Sequence, residues 1–214
     1  MTDVPRTGLI PRLLVGVCGS VSVYDHLRVL ADLRGSMAQE VRVVLTPSAA
    51  RMVPPNVVAA LVRGTVTTGL EQQGDGVFVP HVELPEWADV FVVLPATAAA
   101  LASAATGDGR GLLSLALLNA KQPVGFVPGM NARMWSAPAV RRNVEQLRQD
   151  GHLVLDLHAG TGRTTSLGTG TTADHGLDPL TVRRFFLHLS DARARADGSR
   201  DLSEPSGVLA AGVS

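Results

Sequence analysis

Short, solid apolar runs alternate along this chain with segments whose apolar residues recur every three or four positions. Arg12 to Cys18, Val41 to Leu45, Val90 to Leu94, Val124 to Val127 and Leu153 to Leu157 are runs of the first kind. Their length and lack of a helical period predict buried strands. Between them Leu27, Leu30 and Leu33 fall on one helical face, with Arg28, Asp32 and Arg34 off it. Val57, Val58, Leu61 and Val62 follow Pro54-Pro55-Asn56, an Ala-rich stretch runs to residue 105, and Leu112 to Ala120 and Val140, Val144 and Leu147 repeat the helical spacing. Gly35, Gly64 and Gly151 stand where helices should stop. Strand and helix in alternation predict a three-layer, doubly wound parallel sheet. Residues 65–76 and 158–178 break the pattern. Both are Gly-rich and polar and are expected as loops, the second long enough to act as a flap. Residues 180–189 return to a helical period around Val182, Phe185, Phe186 and Leu189. One domain over residues 1–190 with a solvated tail over 191–214 is the organisation expected.

In an open parallel sheet the carboxyl ends of the strands share one edge, and ligands bind there. The first strand runs into Gly16-Val17-Cys18-Gly19-Ser20-Val21-Ser22 and then a helix. That geometry aims backbone N–H groups at an anion. The turn lacks both the three glycines of a dinucleotide fingerprint and the lysine of a P-loop, so a mononucleotide phosphate is the better fit, with a plain βα turn as the bland reading. Thr46-Pro47-Ser48, Pro95-Ala96-Thr97 and Pro128-Gly129-Met130-Asn131-Ala132-Arg133-Met134-Trp135 stand at the ends of later strands. In the last segment, Met130, Met134 and Trp135 suit core filling as well as a site. Together these ends suit a phosphate-bearing, mostly apolar cofactor.

Charge narrows the partners. Lys plus Arg and Asp plus Glu number 19 each, so nothing in the balance favours nucleic acid or an anionic membrane. Cys18 is the sole cysteine, which rules out an intrachain disulfide and a Cys-based metal cluster and fits a cytoplasmic setting. It reads as a packing residue beside the glycine turn. No apolar run is long enough to span a membrane, and the first residues do not read as a signal peptide. His26, His152, His158, His175 and His188 show no ligand spacing, so no metal is expected. On position alone, His81, read as lying just ahead of a strand, is an ordinary histidine.

Gly16-Val17-Cys18-Gly19-Ser20, His81-Val82-Glu83-Leu84, Trp87-Ala88-Asp89, Pro95-Ala96-Thr97-Ala98 and Pro128 to Trp135 resemble, in order, the motifs of the homo-oligomeric flavin-containing cysteine decarboxylases. The resemblance covers about residues 12–157, and the Pro128 to Trp135 segment is its most specific part. It implies a Rossmann-like, flavodoxin-like flavoprotein binding FMN through Gly19, Ser20, Ser22, Thr46, Ser48, Pro95, Ala96, Thr97 and Met130. It implies that His81 is the catalytic base and that Asn131 and Met134 hold the substrate against the flavin. It implies a homotrimer or homododecamer with sites between subunits, where His81 and the Pro128 to Trp135 segment meet one cofactor from different chains.

Two departures matter. Ala99 stands where the family usually has an asparagine. The phosphopantothenoylcysteine decarboxylases of this family carry a flap cysteine that reduces the enethiol, and residues 158–178 contain none. The resemblance therefore implies a reaction that stops at the oxidised product: oxidative decarboxylation of the C-terminal cysteine of a ribosomally made precursor peptide, with an external oxidant, O2, for the flavin. The alternatives are phosphopantothenoylcysteine decarboxylation and, in another class, a non-catalytic flavin-fold protein, which the retention of His81 and Asn131 disfavours.

Overall fold

A computed structural model describes residues 10–70, 79–121, 123–156, 179–196 and 198. In chain order they form β1 (Ile10–Val17), α1 (Val23–Ser36), β2 (Ala38–Leu45), α2 (Pro47–Met52), α3 (Pro55–Val62), β3 (Thr65–Thr67), α4 (Pro80–Trp87), β4 (Val90–Ala96), α5 (Ala98–Thr106), α6 (Leu112–Leu118), β5 (Gly125–Pro128), α7 (Ala132–Trp135), α8 (Pro138–Gln149), β6 (Leu153–Val154) and α9 (Pro179–Ala196). The strands make one parallel sheet in the order β3-β2-β1-β4-β5-β6. The order reverses between β1 and β4, and such a switch point opens a crevice at the strands' carboxyl ends.

Each apolar run divides its side chains between two cores by parity. Leu13, Val15 and Val17 of β1, Val43 and Leu45 of β2, and Val90, Val92 and Leu94 of β4 pack with Val23, Leu27 and Leu30 of α1, Val58 and Val62 of α3, and Val182, Phe186 and Leu189 of α9. Leu14, Val44, Phe91, Val93 and Phe126 pack on the opposite face with Leu84, Leu101, Leu112, Leu113, Trp135, Val144 and Leu147. A strand buried on both faces needs no polar alternation, which is why it reads as a solid run. Helix α6 crosses β1 so closely that a Cβ on Gly16 would lie 2.5 Å from Leu113 Cδ1.

The structure corrects several expectations. Residues 65–67 form an edge strand, with Arg42, Val43 and Val44 opposite Thr65, Val66 and Thr67. Pairing with β2 overrides the local loop signal. His81 lies inside helix α4 rather than ahead of a strand. Pro80 opens that helix, and the Glu83 carboxylate accepts the Val79 N–H at 2.8 Å, so capping chemistry starts a turn there. Gly35 is the penultimate residue of α1, which runs to Ser36. The last strand is shorter than expected, Leu153–Val154, although the Leu155 N–H still reaches the carbonyl of Phe126. Helix α9 runs beyond residue 190 to Ala196. The expected flap at 158–178 lies outside the described residues.

Candidate functional site

Three of the expected site residues begin helices. Thr46, Thr97 and Asn131 are the N-caps of α2, α5 and α7, and their side-chain oxygens accept the N–H of Ala49 (3.3 Å), Ala100 (3.3 Å) and Met134 (2.9 Å). Capping satisfies otherwise orphaned donors and fixes where each chain turns off the sheet. For Asn131 the bond uses only Oδ1. Its amide nitrogen, which carries two donors, remains available.

The Gly/Ser turn after β1 is tied to the turn after β5. Ser20 Oγ donates to the carbonyl of Gly129 at 2.8 Å and lies 2.9 Å from Ser22 Oγ. The Gly129 N–H donates to the carbonyl of Ala96 at 2.8 Å, and the Cys18 N–H to that of Pro95 at 3.2 Å. A Cβ on Gly129 would come within 2.6 Å of both Pro95 Cβ and Ser22 Oγ, so only glycine lets these segments meet. Past this turn the side chains sort themselves. Met130 and Trp135 are buried, with the Arg141 guanidinium 5.3 Å from the Trp135 ring centroid. Asn131 is half-buried and Met134 exposed. Trp135 anchors the segment, and Asn131 and Met134 line its open side.

Two clefts flank Thr97. The smaller, about 270 Å³, is lined by Gly19, Ser20, Val21, Ser22, Ala98, Gly129, Met130, Asn131 and Met134 as well as Thr97. Among the described residues its lining has no charged side chain. The larger, about 420 Å³, takes in Cys18, Thr46, Ser48, Thr97, Ala99, Ser103, Asp108, Arg110 and Ser114 among others. The first gathers Gly19, Ser20, Ser22, Thr97, Met130, Asn131 and Met134; the second gathers Thr46 and Ser48. Pro95 and Ala96 lie beneath, serving through their carbonyls.

His81 lines neither cleft. It is half-buried on α4, which packs against α6, and its Nδ1 is enclosed without a hydrogen-bond partner among the described residues. Sequence reasoning missed Asp108 and Arg110, which pair at 2.9 Å at the mouth of the larger cleft. Their only signal was the Gly107-Asp108-Gly109-Arg110 break. Cys18 is 2% exposed, and burial pushes its thiol up to about 11. At neutral pH it is a protonated packing group. Among the described residues no three His, Cys, Asp or Glu side chains group to hold a metal ion, and no helix is long and apolar enough to cross a membrane.

A cleft of hydroxyls and N-caps at a parallel sheet's switch point accords with the comparison to known proteins. The model of the family described as Flavoprotein matches residues 2–173. The chain belongs to the flavoprotein family. This flavoprotein is 35% identical over 145 residues to mersacidin decarboxylase of Bacillus sp. (strain HIL-Y85/54728), covering 68% of this chain and 73% of that one. It is 41% identical over 185 residues to the coenzyme A biosynthesis bifunctional protein CoaBC of Mycobacterium bovis, covering 86% of this chain but only 43% of that relative. Among solved structures, the FMN-dependent cysteine decarboxylase SpaF matches with a TM-score of 0.64 at 44% identity, over 68% of this chain and 83% of that one. MrsD from Bacillus sp. HIL-Y85/54728 matches with a TM-score of 0.68 at 30% identity, over 86% and 96%.

Proposed function

We propose that this flavoprotein is an FMN-dependent decarboxylase that oxidises the C-terminal cysteine of a precursor peptide to an enethiol. The carrying observation is Cys18. It is the only cysteine of the chain, it is buried in the core, and its thiol is held protonated. The chain thus offers no thiol for a second, reductive half-reaction. Similarity to SpaF and mersacidin decarboxylase supports the reading.

The residues present fit FMN. Ser20, Ser22, Thr46, Ser48 and Thr97 offer hydroxyls at one sheet edge, and among the described residues no carboxylate lines the smaller cleft, which suits a phosphate. Gly19 and Met130 line the same cleft. Bound there, FMN supplies the two-electron acceptor for the thiol-bearing carbon. The amide nitrogen of Asn131 donates to the substrate carboxylate without adding a charge, so departure of CO2 is not opposed by a fixed ion pair. Met134 provides an apolar wall beside it. His81 takes the thiol proton. Its Nδ1 is enclosed by protein, so Nε2 is the nitrogen left for that transfer.

His81 stands apart from the clefts of its own chain, which supports active sites built between copies in a homotrimer or homododecamer. The substrate is tested by mass spectrometry. Loss of about 46 mass units, CO2 and two hydrogens, from a Cys-terminated peptide supports the reading. Loss of about 44 from phosphopantothenoylcysteine overturns it in favour of the coenzyme A reaction, which the 41% identity to CoaBC keeps as the second reading.

A further inference from the structure

His26 sits on the first turns of α1, 4% exposed, on the face that carries Val23, Leu27 and Leu30. Its Nδ1 lies 2.5 Å from the carbonyl oxygen of Ser22, which also accepts the His26 backbone N–H at 3.1 Å. A carbonyl only accepts, so Nδ1 carries a proton. Burial disfavours a second proton on Nε2 and drives the ring's pKa down to about 4, so the ring is neutral at neutral pH. A buried imidazole carries a desolvation cost that leucine at this position would not.

The bond has a destination. Ser22 begins α1 in a helical conformation, φ −66° and ψ −5°, and its side chain makes no cap bond. The hydroxyl is turned instead toward Ser20, whose own hydroxyl holds the carbonyl of Gly129. The start of α1 thus has no side-chain cap, and what holds the Ser22 peptide in place is its carbonyl, which takes two donors from His26. The ring's share of that hold comes from the core side. A single line of bonds thus runs from the buried face of α1 through Ser22 and Ser20 to Gly129, two residues from Asn131.

We propose that His26 is a positioning residue for the flavin cleft, its bond to the Ser22 carbonyl setting the Gly19–Ser22 turn against the Gly129–Asn131 turn. This rests on the reading of that cleft as part of the FMN site. The line predicts that loss of the ring N–H loosens the cleft while the fold survives. Replacement by a donor that reaches the same carbonyl restores it.

The test follows FMN fluorescence as diluted holoprotein releases its cofactor, with thermal melting in parallel. His26→Met keeps the bulk and removes the donor; FMN release is then about tenfold faster, the equivalent of one lost hydrogen bond. His26→Gln places an amide donor over the same carbonyl, and its release stays within about threefold of the unsubstituted protein. Equal release from all three proteins, or equal acceleration in both variants, overturns the proposal, since side-chain volume alone would then account for the result. Should the Met variant not fold, 15N spectra of the unsubstituted protein decide. A neutral Nδ1–H tautomer whose resonance moves on FMN release supports the proposal, and an Nε2–H tautomer overturns it. Ser20→Ala separates the two layers of the argument. If it leaves release unchanged, the FMN reading of the cleft fails and the proposal falls with it. If it accelerates release while His26→Met does not, the role of His26 alone is overturned.

Discussion

Ser20 Oγ donates to the carbonyl oxygen of Gly129 at 2.8 Å, across 109 positions of sequence. The bond joins the two turns that wall the smaller cleft and stands beside the strand reversal between β1 and β4. Removing it should act on the cleft before it acts on the fold. The Ser20→Ala variant is expected to melt within a few degrees of the unsubstituted protein and to bind FMN about tenfold more weakly, as equilibrium titration with cofactor fluorescence would read.

Gly129 is a harsher site. A Cβ there meets Pro95 Cβ and Ser22 Oγ at 2.6 Å, and the proline ring has little freedom to yield. Gly129→Ala should destabilise by about 1–3 kcal/mol, the usual range for overpacking. Denaturant unfolding of the apoprotein would measure it, and an unchanged midpoint would contradict the packing described.

Asn131 caps α7, and substitution can separate that from the substrate contact proposed for it. Asn131→Asp keeps an oxygen to cap α7, so stability should hold, yet it sets a negative charge where the proposed function puts the substrate carboxylate. Turnover per unit substrate, kcat/KM, should fall 100-fold or more, as a worked charge repulsion of about 3 kcal/mol implies. Asn131→Ala should lose both cap and activity.

The proposed sharing of sites between copies has a direct test. His81→Asn and Asn131→Ala proteins are each expected to bind FMN and remain inactive. Co-expressed, they should recover activity at about a quarter of the sites if each site takes His81 and Asn131 from different chains. No recovery in mixed oligomers would place both residues of a working site on one chain.

Acid stability follows from two histidines shielded from water, His26 and His152. Burial holds His26 down to about 4 against an ordinary 6.5, and His152 is lowered for the same reason. The unfolded chain therefore binds protons that the folded chain refuses. Above pH 6.5 neither state is protonated and stability is flat. As pH falls from 6.5 toward 4 the unfolded state gains, and the His26 contribution alone amounts to roughly 3 kcal/mol at most. Denaturant midpoints measured from neutral pH to about pH 4.5 should slope downward, and His26→Gln should flatten part of that slope.

Much of the fold was legible because its signals are local. The runs at β1, β2, β4 and β5 needed only apolar length, and the helices between them only period and caps. Where a long-range partner decides, the sequence was silent. Thr65 to Thr67 became a strand because β2 offers an edge, and Leu155 and Asp156 did not join β6 although they continue its run. The cleft was legible for a similar reason: parallel strands deliver their carboxyl ends to one edge, so Ser20, Thr97 and Asn131 had to converge. His81 did not follow, because a helix that precedes its strand is placed by packing against α6, which no short-range pattern records. Arg110 and Asp108 stayed hidden inside a turn that read only as a break, and His26 was hidden by lying on an apolar stripe, where a lone polar residue looks like noise.

The odd-and-even division of β1 gives the molecule two loads on one beam. Val15 faces the helices that seat the Ser20–Ser22 turn, and Leu14 faces the layer that carries His81. Trimming the first should loosen cofactor retention, and trimming the second should disturb the proton transfer proposed for His81, although the two residues are neighbours in sequence. A deletion of one residue within β1 would exchange the two sets and spare neither.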